Sequence, residues 1–180
     1  MGRVNLRALT AWIAFAASLP TLHAATIDQN WESRFVLAPG LNGEVFAMVS
    51  IGTNLYAGGA FSKAGDIQTR GIARWDGQKW NAVGGGVDDT VFALATDGTN
   101  LYAGGRFNSA GGVAATNIAR WDGTNWSSLG ALHMPDTPNT RWAAAVYSLI
   151  LDGPDLVAGG TFFSAGGILA TNVARWDGSA

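Results

Sequence analysis

One segment of this chain recurs three times, and this internal repeat restricts the possible folds more than any other feature. Residues 91–126 read VFALATDGTNLYAGGRFNSAGGVAATNIARWDGTNW, and they align without a gap to residues 45–80, VFAMVSIGTNLYAGGAFSKAGDIQTRGIARWDGQKW. A third version, VYSLILDGPDLVAGGTFFSAGGILATNVARWDG, covers residues 146–178. Such repetition is typical of a small unit that buries its apolar faces against its neighbours.

Each repeat predicts four short strands. In the second repeat they cover residues 91–96, 101–105, 117–122 and a stretch that begins at Trp126, and two Asp-Gly-Thr-Asn runs predict the hairpin turns between them. The glycine- and serine-rich stretch between the second and third strands predicts a loop. Four antiparallel strands every ~45–50 residues are typical of a propeller blade. We therefore expect an all-β fold, a partial β-propeller of three four-stranded antiparallel blades that form an incomplete ring.

The N-terminus predicts an export signal that is helical. Arg3 and Arg7 precede an apolar stretch over residues 8–19, and Pro20 separates that stretch from a small-residue cleavage site after Ala24. The alternative is an uncleaved anchor helix, although the apolar stretch is short for a span of ~20 residues. A cleaved signal predicts a secreted protein, which is periplasmic, extracellular or on the cell surface, with no membrane contact after cleavage.

The repeat and the leader together predict the domain boundaries. The signal peptide covers 1–24, and 25–39 is an N-terminal segment with an isolated strand of the fourth type. Blade 1 covers 40–84, blade 2 covers 85–130, and blade 3 covers 131–180. Blade 3 has an insertion at its start and lacks its fourth strand.

Glycine pairs and tryptophans at fixed repeat positions resemble those of Kelch-like propeller repeats. Similar repeats form the central domain of galactose oxidase and occur in many bacterial secreted proteins and in fungal surface polarity markers. The Trp-Asp pairs suggest WD repeats instead, but the Gly-His pair of that family is absent. The resemblance implies a fold and leaves the function open.

Residues that recur in every repeat are expected to have structural roles. The glycines permit a bulge or a close backbone approach, and the tryptophans fill the space between blades, with ligand stacking as the alternative. The arginines are expected to pair with carboxylates or carbonyls of a neighbouring blade rather than with a substrate. These positions are Gly58, Gly59, Gly104, Gly105, Gly159 and Gly160; Trp31, Trp75, Trp80, Trp121, Trp126 and Trp176; and Arg74, Arg120 and Arg175.

The insertion before the third repeat is the candidate binding site. It reads GALHMPDTPNTRW over residues 130–142, and it contains His133, Arg141 and Trp142. Strand parity places it on the same face as the second-to-third-strand loops, which carry Arg106, Phe107 and Phe162. Aromatic residues with an occasional arginine suit a glycan or protein partner, and the alternative is a proline-rich spacer.

Composition excludes several classes of function. With 11 basic and 13 acidic residues and no basic cluster, the chain does not resemble a nucleic-acid-binding protein. No cysteine is present, which excludes disulfides and the cysteine-linked copper centre of galactose oxidase. No metal or cofactor motif and no catalytic constellation is recognisable.

Three blades are too few for a closed propeller, which typically has 4–8. The sequence is expected to be a fragment of a longer protein, or, if it is complete, a three-blade unit that self-associates. The expected function is a non-catalytic binding or surface scaffold module. The alternative is the propeller part of a secreted carbohydrate-active enzyme whose catalytic residues lie outside this chain.

Overall fold

A computed structural model of the protein describes residues 40–134 and 143–179. Every regular element in these two ranges is a β-strand, so the prediction of an all-β fold is confirmed. The predicted leader helix and the predicted strand that starts at Trp31 lie outside the described residues. In chain order the strands are β1 (Glu44–Ile51), β2 (Asn54–Ala60), β3 (Lys63–Ala64), β4 (Ile67–Gln68), β5 (Ile72–Trp75), β6 (Trp80–Ala82), β7 (Thr90–Thr96), β8 (Leu101–Arg106), β9 (Ser109–Ala110), β10 (Val113–Ala114), β11 (Ile118–Trp121), β12 (Trp126–Ser128), β13 (Leu132–His133), β14 (Ala145–Asp152), β15 (Asp155–Thr161), β16 (Ser164–Ala165), β17 (Ile168–Leu169) and β18 (Val173–Trp176).

The sequence repeat is also a structural repeat, and we call the three units repeat 1 (40–84), repeat 2 (85–130) and repeat 3 (131–180). Repeat 1 has a main sheet in the order β1-β2-β5-β6, and repeat 2 has the equivalent order β7-β8-β11-β12. In repeat 3 the main sheet is β14-β15-β18 within the described residues. All neighbouring strands are antiparallel, and none of these described sheets closes on itself.

A short hairpin occupies the stretch that the sequence predicted to be a loop. In repeat 2 it consists of β9 and β10, and β3–β4 and β16–β17 are its equivalents. Its turn is Gly111-Gly112, where both residues have positive φ (58° and 82°). This conformation matches the twist of a two-residue hairpin and is readily adopted by glycine. The chain entering each repeat pairs with this hairpin, as in the bridge between Val87 and Ala110.

The first strand of every main sheet contains a β-bulge. In β7 the register passes from Val91 to Ala93, so Phe92 has no partner on β8. The bulge places Val91 and Leu94 on the same side of the sheet although they are three residues apart. Gly105 on β8 pairs with Val91. A Cβ on Gly105 would be 2.0 Å from the carbonyl oxygen of Thr90, so the close approach of β7 and β8 at this point requires glycine.

Successive main sheets pack face to face through these first strands. We call the side of a sheet that meets the following repeat its trailing face, and the side that meets the preceding repeat its leading face. Tyr56 and Ile72 on the trailing face of repeat 1 share a core with Leu101, Phe107 and other residues of repeat 2. A second core joins repeats 2 and 3 in the same way. Each repeat thus hides its apolar faces against its neighbours, as expected for repeats of this size.

Aspartate side chains hold the Asp-Gly turns that join neighbouring strands of the main sheets. Asp76 Oδ1 accepts the backbone N–H groups of Gln78 and Lys79, at 2.9 Å each. Asp122 holds the equivalent turn of repeat 2 in the same way, and Asp97 holds the turn between β7 and β8. These contacts are Asx turns, in which a carboxylate satisfies backbone donors that the hairpin leaves unpaired.

These turns predict a loss of stability in acid. The backbone N–H groups of Lys79 and Gln78, followed by the Asn81 amide, lower the pKa of Asp76 from 3.8 to about 2. Because the pKa is lower in the folded state, the contribution of this carboxylate is complete above pH 3.8 and is lost as the pH falls towards about 2. We expect Asp76→Asn to have a lower Tm than the wild type at pH 6, and we expect the two Tm values to converge near pH 2.

The measurement is thermal unfolding followed by circular dichroism across this pH range. Asp66→Asn is the matched control, because Asp66 is an exposed aspartate in the short hairpin of the same repeat. A Tm difference between wild type and Asp76→Asn that does not change with pH would contradict the prediction.

Candidate functional site

Two equivalent clefts lie where consecutive repeats meet, beside the short hairpins. The first cleft, of about 420 Å³, lies between repeats 1 and 2, and its polar lining includes Asn42, Arg70, Asp88 and Asp89. The second, of about 240 Å³, lies between repeats 2 and 3. It is lined by Arg106, Phe107, Asn108, Thr116, Asn117, Leu132, His133, Met134, Ala143 and Ala144. The loops between second and third strands therefore meet the connections between repeats at both junctions.

The acidic residues of the first cleft are already engaged. Asp88 Oδ1 accepts the N–H groups of Asn108 and Ser109 at 2.8 and 3.0 Å, so it holds the next hairpin in place. Asp89 accepts the Thr90 hydroxyl and forms a 3.2 Å ion pair with Arg106 Nε. Burial raises the pKa of Asp89, but the bonds from Arg106 and Thr90 outweigh that effect and lower it. Both carboxylates are therefore bound to groups of the protein itself.

The second cleft brings together three of the predicted binding residues, from two different repeats: Arg106, Phe107 and His133. Arg106 is the last residue of β8 and His133 is the last residue of β13. Both side chains are exposed and line the cleft. Met134 and Ala143 line the cleft, and in the sequence they immediately precede and follow residues 135–142. Arg141 and Trp142 are within that stretch and lie outside the described residues.

His133 occupies a position that has a structural role in the other repeats. Asn42 and Asp88 are its equivalents, and each accepts two backbone N–H groups of the neighbouring hairpin through its side chain. In repeat 3 the backbone carbonyl of His133 accepts the N–H of Phe163 at 2.7 Å. The imidazole is therefore placed at the cleft without the bonds that fix the equivalent side chains.

Phe107 lines the second cleft, but it is buried, as is Phe162. Each is 1% exposed, and each lies in one of the cores between repeats. Their repeat position faces the preceding sheet, where the loss of water contact stabilises the junction. Phe107 supports the wall of the second cleft, and we assign both residues to packing.

Asn117 is a residue of the second cleft that the sequence prediction missed. Its side-chain amide donates to the carbonyls of Gly105 (3.1 Å) and Ala144 (2.8 Å), so it joins repeats 2 and 3. Its φ is 69°, and the equivalent positions Gly71 and Asn172 have φ values of 66°. The alternation of glycine and asparagine at one repeat position signals a left-handed residue, and that signal was available.

The repeated arginines, and those of the repeated tryptophans that the structure describes, lie on the main sheets, away from both clefts. Arg175 pairs with Asp152 and Asp155, which belong to the turn of its own sheet rather than to a neighbouring repeat. The Nε atoms of Arg74 and Arg120 are buried without a hydrogen-bond acceptor in the described part of the chain. The tryptophans of the third and fourth strands pack in pairs, with ring centroids 5.4 Å apart in both described cases: Trp75 with Trp80, and Trp121 with Trp126.

Ranges 40–134 and 143–179 contain neither a metal-ligating cluster nor a long apolar helix. No three of their histidine, aspartate or glutamate side chains come close enough together to hold a metal ion. They also contain no helix of the length and apolar character that a membrane span needs. The second cleft offers hydrogen-bonding groups from arginine, histidine, asparagine and threonine.

No protein-family model, curated protein or solved structure matches this chain.

Proposed function

We propose that this chain is a non-catalytic module of an exported, Kelch-like β-propeller, and that it binds a glycan in the second cleft. The proposed fold is supported by three equivalent antiparallel sheets that pack face to face in sequence order. Export is supported by the leader pattern, in which Arg3 and Arg7 precede an apolar stretch.

The proposal that the second cleft binds a glycan rests on one observation: this cleft departs from the repeat pattern. Insertions in repeat proteins map to loops on one face, and that face is often the binding face. Here the insertion adjoins a cleft in which His133 replaces a structural asparagine or aspartate. Arg106 and His133 supply the exposed polar groups, and a glycan offers hydroxyl groups that pair with them.

Binding to immobilised glycans tests the proposal. We expect the exported chain to bind at least one glycan class, and we expect Arg106→Ala and Trp142→Ala each to weaken binding by about tenfold or more, which is the effect of losing ~1.4 kcal/mol. Arg106 also pairs with Asp89, but that exposed ion pair contributes little to folding.

Arg70→Ala is the matched control, because Arg70 is an exposed arginine of the first cleft. It should bind as the wild type does. Binding that is absent in the wild type, or that is equal in all four proteins, would rule out the second cleft as a glycan site.

A further inference from the structure

The two junctions within the chain use the same contact. At the first, Gly58 on the trailing face of repeat 1 faces Val91 and Leu94, and a Cβ on Gly58 would lie 2.6 Å from Val91 Cγ1. At the second, Gly104 faces Val146 and Leu149, and its Cβ would lie 2.5 Å from Val146 Cγ1. The missing side chain of the glycine thus lets the first strand of the next repeat approach closely.

In repeat 3 no residue that the structure describes covers this contact surface. A Cβ on Gly159, the equivalent glycine, would meet only Ser148 Cβ at 3.7 Å. Val173 on the same trailing face is 63% exposed, whereas its equivalents Ile72 and Ile118 are 0% and 4% exposed. The residues that bury a neighbour in repeats 1 and 2 are therefore exposed in repeat 3.

Repeat 1 presents the complementary half of the same contact. Val45 and Met48 in β1 are the equivalents of Val91 and Leu94, and they are 40% and 63% exposed. Val91 is fully buried at the first junction. Methionine in place of leucine conserves volume, so Met48 fits a site built for Leu94 or Leu149.

We propose that a second copy of this chain packs β1 of its repeat 1 on the trailing face of repeat 3. Both halves of the contact belong to one sequence, and both are the residue types that already form two junctions in each chain. Because the two halves differ, the contact is head-to-tail, and two chains that make it twice would close into a pair. The inference rests on the repeat geometry and is independent of glycan binding.

The first test removes one half of the contact without disturbing the monomer. Within the chain, a Cβ at position 159 makes only an ordinary contact, with Ser148 Cβ at 3.7 Å. Gly159→Val nevertheless fills the site that Val45 and Met48 of the second copy would occupy. We expect the exported wild-type chain to associate in sedimentation equilibrium as its concentration rises, and we expect Gly159→Val to remain monomeric. Thr124→Val, in an exposed turn of repeat 2, is the control and should associate as the wild type does.

The second test uses the other half of the contact. Met48→Asp places a charge in the apolar contact and should also be monomeric. An equimolar mixture of Met48→Asp and Gly159→Val should associate again, because the intact repeat 3 of one variant meets the intact β1 of the other. A contact between identical patches would give no such rescue.

Each outcome decides the proposal. A wild-type chain that stays monomeric at every soluble concentration would overturn it, and would leave a further repeat of a longer protein as the occupant of this face. Association that persists in Gly159→Val would also overturn it, because the contact would then lie elsewhere. Circular dichroism and thermal unfolding of each variant show whether the fold is intact.

Discussion

Replacing Trp126 with alanine is expected to lower the free energy of unfolding by about 3–5 kcal/mol. The indole lies in the core between repeats 1 and 2, where it is buried beside Tyr56 and Ile72. Its Nε1–H donates to the carbonyl of Val83 at 3.1 Å, and this bond is also buried. The substitution removes the packing and leaves that carbonyl without its donor. Equilibrium unfolding in urea measures the change.

Trp126→Phe separates the two contributions. Phenylalanine keeps most of the buried apolar area but has no donor for Val83, so we expect a smaller loss of about 1–3 kcal/mol. An alanine variant that lost less than about 1 kcal/mol would contradict this role for Trp126, since truncation of a buried large side chain costs more than that.

Valine at Gly104 and valine at Gly159 are expected to have opposite outcomes although the two positions are equivalent. At Gly104 the new side chain would collide with Val146 and Leu149, and overpacking of this kind lowers the free energy of unfolding by about 1–3 kcal/mol. At Gly159 the space is open, and a β-branched residue suits a strand. We expect the free energy of unfolding of Gly159→Val to differ from that of the wild type by no more than about 1 kcal/mol. Valine also restricts the unfolded chain, which acts to raise the free energy of unfolding.

Urea unfolding of both variants, at a concentration where the chain is monomeric, provides the comparison. Gly40→Val is a useful control, because a Cβ on Gly40 meets nothing within 4 Å. Equal losses at Gly104 and Gly159 would mean that the junction between repeats 2 and 3 does not depend on a close approach at glycine.

The strands of the main sheets could be predicted because their signals are local. The stretch predicted over 117–122 contains β11, and the strand predicted to start at Trp126 is β12. Turn residues mark the ends of both strands, and in the structure Asp122 accepts the N–H groups of Thr124 and Asn125. The physical causes of these elements lie within a few residues, so one sequence is sufficient to find them.

The glycine pairs predicted a bulge or a close backbone approach, but neither the position of the bulge on the first strand nor the short hairpins were predicted, because their causes are contacts with other strands. The alternation of β7 breaks at Phe92, and only the pairing with β8 shows that this residue is skipped. The hairpin β9–β10 has two residues in each strand, which is too short for an alternating pattern to identify. The glycine pair of its turn is visible in the sequence, but the glycine- and serine-rich stretch around that pair predicts a loop.

The candidate site could be predicted only in outline. The insertion and strand parity placed His133 near the loop that carries Arg106, and both line the second cleft in the structure. The orientation of Phe107 was not predictable from strand parity alone, because its side chain follows the end of β8 and turns into a core. Asn117 was missed because its two carbonyl partners come from different repeats.

Because the two junctions use the same contact, they also affect how such a chain can change in length. Repeat 2 meets repeat 1 through its leading face and repeat 3 through its trailing face, and both meetings bring a valine and a leucine onto a glycine. A duplicated middle unit would therefore find a correct neighbour on each side without any new kind of contact. Proteins built in this way can grow or shrink by whole units in evolution, while each junction stays unchanged.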